Sequence, residues 1–186
     1  MPTVAELHAM DNDALCDVLV HGHPIDPNEL ADRDYRGVSL GVWEVVKRLS
    51  WTKFRKSFYR DPTTQALRGW NVRMQQNGLE GPDLPVLRRG VPLTFGHYAV
   101  VPTRGYAMPR RKGAPVFCHR GLMLDYGLGR GNPPHLRSLR DPIVAVQPGD
   151  ASLLLGWTYL DLGIARVPTP SFFTLERTGP ISHVPK

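Results

Sequence analysis

Over residues 152–162 the chain alternates with a period of two: Leu153, Leu155, Trp157 and Tyr159 fall on one face of an extended segment, and Leu154, Gly156 and Leu160 on the other. Such a period marks a β-strand. Shorter runs of the same kind recur along the chain, and this repetition constrains the fold more than any motif does. Strands are predicted over 35–40, 67–75, 93–101, 116–126, 142–147 and 171–176 as well. Gly and Pro, 18 of each and together about a fifth of the residues, exceed their usual share of roughly 12% and punctuate the runs as turns. The loops fall at 76–92, 102–115 and 127–134.

Strands joined by turns rather than by regular helical crossovers favour an antiparallel sheet over a doubly wound one. A sheet of this size curls, and closure removes its exposed edges. The expected fold is mainly β: an antiparallel β-barrel or strongly curled sheet, preceded by short N-terminal helices. Thr3 with Glu6 forms a capping-box pattern, and Leu15, Val18 and Leu19 mark one face of a second helix. Val42, Val45, Val46 and Leu49 lie at i, i+3, i+4 and i+7, the spacing of an inserted helix, with a continued strand as the alternative that their β-branched content leaves open. The boundaries expected are a helical segment over 1–30 and a barrel-like unit over 31–186.

No stretch approaches the roughly 18 apolar residues of a membrane span, and the first ten residues lack a basic start and an apolar run, so a cytoplasmic location is expected. Cys16 and Cys118, the only two cysteines, are expected as free thiols. The formal net charge of +6 serves solubility or an acidic partner.

The tests for chemistry are mostly negative. Cys118 and His119 are neighbours that would point to opposite faces of a strand, so they form no nucleophile–base dyad. His21 and His23 lack the further ligands zinc requires, and no metal or cofactor is expected. The glycines Gly127, Gly129 and Gly131 have neither P-loop nor dinucleotide spacing, and no G-x-S-x-G elbow is present. Residues 51–59 interleave Lys53, Arg55 and Lys56 with aromatics but carry no RNA-module signature, so nucleic acid is not the expected partner.

Three features remain. His97 lies on an otherwise apolar face with Leu93, Phe95, Ala99 and Val101, where an imidazole needs a partner or a cavity. Asp125 follows an apolar run, and with His97 and Tyr98 it makes up the candidate acid–base set for an enzyme reading. Arg110 and Arg111, with Lys112, sit in the loop after Val101 and would suit an acidic ligand end at a barrel mouth.

Gly41-Val42-Trp43 resembles the G-x-W of the lipocalins and the wider calycin superfamily. Leu124-Asp125-Tyr126 is similar to their later T-D-Y, with Leu in place of Thr, and Arg166 or Arg177 is available as a late arginine. The resemblance covers under a tenth of the chain and implies a cavity for a small apolar molecule. The expected function is binding of a small hydrophobic or amphipathic, possibly acidic, molecule by Phe95, His97, Leu153, Leu155, Trp157, Tyr159, Arg110 and Arg111. The alternatives are an enzyme on the same barrel and a basic interaction protein.

Overall fold

A computed structural model describes residues 2–40 and 52–185. Eight antiparallel strands close into a barrel: β1 (Arg33–Leu40), β2 (Lys53–Arg60), β3 (Leu67–Arg73), β4 (Thr94–Pro102), β5 (Leu122–Asp125), β6 (Leu139–Gln147), β7 (Asp150–Asp161) and β8 (Arg166–Pro180). Each strand pairs with its successor and β8 pairs back to β1, so every ladder is local in the chain except the closing one. This is the closed antiparallel barrel that the alternating runs and turn residues call for. Four helices accompany it among the described residues: α1 (Val4–Ala9), α2 (Asn12–His21), α3 (Pro27–Leu30) and α4 (Pro134–Arg137). Gly41-Val42-Trp43 and the helix-or-strand alternative over 42–49 lie outside the described residues.

Several boundaries differ from the sequence reading. The basic and aromatic run at 51–59 is largely β2. The strand expected over 116–126 shortens to β5, because residues 116–118 leave the sheet; the Thr103 hydroxyl donates to the carbonyl oxygens of Cys118 and Gly121 and fixes the turn there. The last strand extends back through Pro168 and Pro170. An irregular register between Trp157 and Tyr159 lets it do so, and the Thr169 carbonyl accepts the Trp157 indole N–H at 2.8 Å.

The capping box forms as expected: Thr3 Oγ1 accepts from the Glu6 amide at 3.3 Å, and the Glu6 carboxylate accepts from the Thr3 amide at 2.7 Å. The helices it opens cover one flank of the barrel. Leu7, Leu15 and Leu19 are fully buried against an outer-face cluster that includes Leu153, Leu155, Trp157 and Tyr159. Each of the three leucines contributes about 1.5–3 kcal/mol by leaving water. No helix among the described residues is long and apolar enough to cross a membrane.

Inside the barrel the two ends differ. Tyr35, Phe58, Tyr98, Leu124, Ile143, Leu154 and Leu175 pack solidly in one half, together with Ile25 and Leu30 from the N-terminal segment. Three inward glycines each sit directly opposite an aromatic residue on the paired strand: Gly37 with Phe54, Gly69 with Tyr98, and Gly156 with Phe173. In each pair the ring lies where a Cβ on the glycine would be.

Candidate functional site

The other half of the barrel is hollow. A cavity of about 290 Å³ is lined by late residues of the odd strands and early residues of the even ones, which places its mouth at the barrel end that carries the β3–β4, β5–β6 and β7–β8 connections. Phe54, Phe95, Phe173, Leu136 and Leu139 supply apolar wall. Ser39, Ser171 and Thr158 add hydroxyls, and Lys56, Asn71, Tyr126 and Asp141 supply the polar floor.

That floor is a fully connected network. Lys56 Nζ donates to Asn71 Oδ1 at 3.0 Å, to Tyr126 Oη at 2.6 Å and to Asp141 Oδ2 at 3.0 Å, which uses all three of its protons. The Tyr126 hydroxyl donates to Asp141 Oδ2 at 2.8 Å, and the Thr158 hydroxyl donates to Asp141 Oδ1 at 2.8 Å. Asn71 Nδ2 donates to the Gly96 carbonyl at 3.1 Å. Gly96 has φ +54° and lies beside a register shift in the β3–β4 ladder, so Phe95 and Gly96 both reach the cavity. Rings of Phe54, Tyr98, Tyr126 and Phe173 stand 5.1–5.5 Å from Nζ, a distance at which their faces favour a cation.

β2 and β6 are four places apart in a ring of eight, so the Lys56–Asp141 pair is a crossbar spanning the lumen between opposite walls. Below it lies the solid core and above it the cavity. Desolvation lowers the Lys56 pKa below the usual lysine value, opposed by the Asp141 carboxylate. Burial, reinforced by Asp141, raises the Tyr126 hydroxyl far above its ordinary range, so it remains a proton donor.

The sequence-derived candidates are distributed differently. Phe95 lines the cavity. Leu153, Leu155, Trp157 and Tyr159 belong to the outer face beneath α1 and α2, and Thr158 is the β7 residue that faces the lumen. His97 is half-buried on the outside, its ring 6.1 Å from that of Trp70; burial and then the Arg68 charge lower its pKa. Tyr98 points inward and donates to the Ser57 carbonyl at 3.1 Å. Asp125 accepts from Tyr106 at 2.6 Å and pairs with Arg140 at 3.1 Å. His97, Tyr98 and Asp125 are therefore not assembled on one cavity.

The basic loop also serves elsewhere. Arg111 and Lys112 pair with Asp13 of α2, Arg111 lies 5.4 Å from the Phe172 ring, and Arg110 is exposed. Their loop joins β4 to β5 at the end opposite the mouth. The cations of residues 51–59 are likewise engaged within the chain: Lys53 by Asn77, by the carbonyls of Gly78, Gly81 and Pro82, and by Asp83; Arg55 by Asp34 and Ser182; and Lys56 inside the barrel. Cys118 is buried and His119 exposed, as expected, although in a loop rather than a strand. Among the described residues no group of three or more His, Cys, Asp or Glu side chains is placed to hold a metal ion.

The floor residues missed from sequence do carry a signal. Lys56 shares a strand face with Phe54 and Phe58, and Asp141 shares one with Leu139, Ile143 and Ala145. An ionisable residue on an apolar face, the reasoning that singled out His97, selects both once β2 and the true start of β6 are known. A scan against protein-family models finds no matching family, and a search of curated proteins finds no match.

Proposed function

We propose that the barrel binds a small amphipathic molecule, with its apolar body between Phe54, Phe95, Phe173 and Leu139 and its polar end on the floor made by Lys56, Tyr126, Asp141 and Thr158. The supporting observation is one cavity that combines apolar walls with a convergent, buried polar cluster, the usual make-up of a ligand site. Its volume of about 290 Å³ holds roughly ten heavy atoms, taking the ~30 Å³ that a water occupies in the liquid for each. The floor carries one ammonium and one carboxylate, so an uncharged polar end such as a hydroxyl or carbonyl suits it better than an acid, which would meet Asp141. This reading agrees with the cavity that the calycin resemblance implies, and a calycin-like ancestry is part of the proposal. Leu124 and Asp125 end β5, Tyr126 follows them on the cavity, and Arg177 of β8 pairs with Glu29 and lies over the Tyr35 ring.

Titration of isotope-labelled protein with octan-1-ol and, separately, octanoate tests it by amide chemical shifts. The alcohol is expected to move the amides of Phe54, Gly96, Tyr126 and Phe173 and to bind more tightly than the acid. Shifts confined to the outer-face strand around Leu153 and Leu155 would relocate the site, and no saturable shift with either probe would remove the binding reading.

A further inference from the structure

We propose that Lys56 captures small apolar aldehydes and ketones covalently, its amine condensing with the ligand's carbonyl to a reversible imine inside the barrel. The inference rests on the binding function proposed above and names the chemistry of the ligand's polar end.

Three features of the site support it. Lys56 is among the residues that line the cavity, with its amine held in the polar floor, and the cavity opens at one end of the barrel. A lysine in an apolar pocket is activated as a nucleophile by desolvation, and burial lowers the pKa here. Asp141 Oδ2, at 3.0 Å, and Tyr126 Oη, at 2.6 Å, stand where protons must be moved. A buried ion pair adds little stability over apolar residues of similar shape. Perturbed, partnered groups gathered in a cleft point instead to a functional site.

The chemistry balances without a co-reactant. The Lys56 ammonium passes one proton to the Asp141 carboxylate, and the free Nζ lone pair attacks the carbonyl carbon. Proton transfer from nitrogen to the former carbonyl oxygen gives a carbinolamine. Protonated Asp141 then returns its proton to that hydroxyl, the C–O bond breaks, and water leaves. The product is a protonated imine that keeps the positive charge of the original ammonium beside the Asp141 carboxylate and the four rings around Nζ, so the site's electrostatics are conserved. Among the described lysines, Lys53 is wrapped in carbonyl acceptors and paired with Asp83, and Lys112 is exposed and paired with Asp13.

The test treats the full chain with octanal and sodium cyanoborohydride, which fixes an imine as a secondary amine, and maps the product by peptide mass spectrometry. Octyl modification of Lys56 is expected to form faster than that of Lys112, since a depressed pKa raises the free-amine fraction. Excess octan-1-ol should slow it by competition. Lys56→Arg keeps the cation and should abolish the fast adduct, while the mapping on the unaltered protein stands even if that variant does not fold. Labelling that follows exposure, with Lys112 ahead of Lys56, would overturn the proposal. Octan-1-ol shifting the cavity amides while octanal leaves Lys56 unmodified would overturn capture and leave binding intact, whereas failure of both probes would overturn both.

Discussion

Lys56→Met and Asp141→Asn should each destabilise the barrel severely, and the two losses should differ in their pH dependence. The side chains of Lys56 and Asp141 are only 2% and 4% exposed, so removing one partner leaves the other charge buried without its counter-ion. Breaking a buried pair in this way costs about 3–5 kcal/mol. In Asp141→Asn the stranded ammonium can shed its proton. Its folded pKa, already lowered by burial, loses the opposing pull of Asp141 and falls further. Between that value and the unfolded value of about 10.4 the unfolded chain binds more protons than the folded one, so stability rises with pH across this window. The Asp141→Asn deficit should therefore shrink as pH is raised from neutral to 9, whereas Lys56→Met leaves a carboxylate with no proton to lose and gains no such relief. The double replacement Lys56→Met/Asp141→Asn removes both charges, and its loss should fall short of the summed single losses by about 2 kcal/mol or more, within the range seen for contacting pairs. Urea unfolding of the four proteins at pH 7 and 9 measures all of this. Additivity within about 0.5 kcal/mol, or a pH-independent Asp141→Asn deficit, would refute a desolvated, mutually dependent pair.

Gly156→Ala places a Cβ where the Phe173 ring lies; an overpacking cost of about 1–3 kcal/mol is expected in a thermal melt, together with weaker octan-1-ol binding as the ring moves into the cavity, and an unchanged melt would contradict the packing described. Burial raises the hydroxyl pKa values of Tyr35, Tyr98, Tyr106, Tyr126 and Tyr159. Their stabilising effect is complete below the unfolded tyrosine value of about 10 and is lost as pH rises above it, so most tyrosinate absorbance should appear in one cooperative step with unfolding; a gradual rise in the folded protein would count against this. Burial pushes the Cys118 thiol up to about 12 and also raises half-buried Cys16, so a thiol reagent should modify Cys16 first and Cys118 only on unfolding, an order that peptide mapping checks.

The barrel is legible in the sequence because burial on alternate faces writes a period of two, and it survives in six of the runs read as strands. The inward face is not legible in the longest of them. Both faces of β7 are apolar, since α1 and α2 bury the outer one, and the larger side chains Trp157 and Tyr159 belong to that outer face. The polar floor was hidden for a different reason. Lys56 reads as one of several cations in a basic run, and Asp141 falls just before Pro142, where the apolar run begins. What joins them is their position on opposite walls of a closed barrel, a relation that follows from the number of strands and not from any local pattern. His97 drew attention on the same logic, but the shift around Gly96 turns Phe95 inward and leaves the imidazole outside.

The three glycine–aromatic pairs act as register pins. A slip of two residues between β1 and β2 would bring Tyr35 or Ser39 opposite Phe54, and one between β7 and β8 would bring Leu154 or Thr158 opposite Phe173, putting a side chain where each ring now lies. Between β3 and β4 the same slip sets Leu67 or Asn71 against Tyr98. In a closed barrel the offsets around the ring must sum to a fixed shear, so pinning three ladders narrows the choice for the remaining five. Strand offset also sets the height of each inward side chain along the axis. The glycines thereby bring Lys56 and Asp141 to a common level, and a chain that lost them could still close while carrying the two charges past each other.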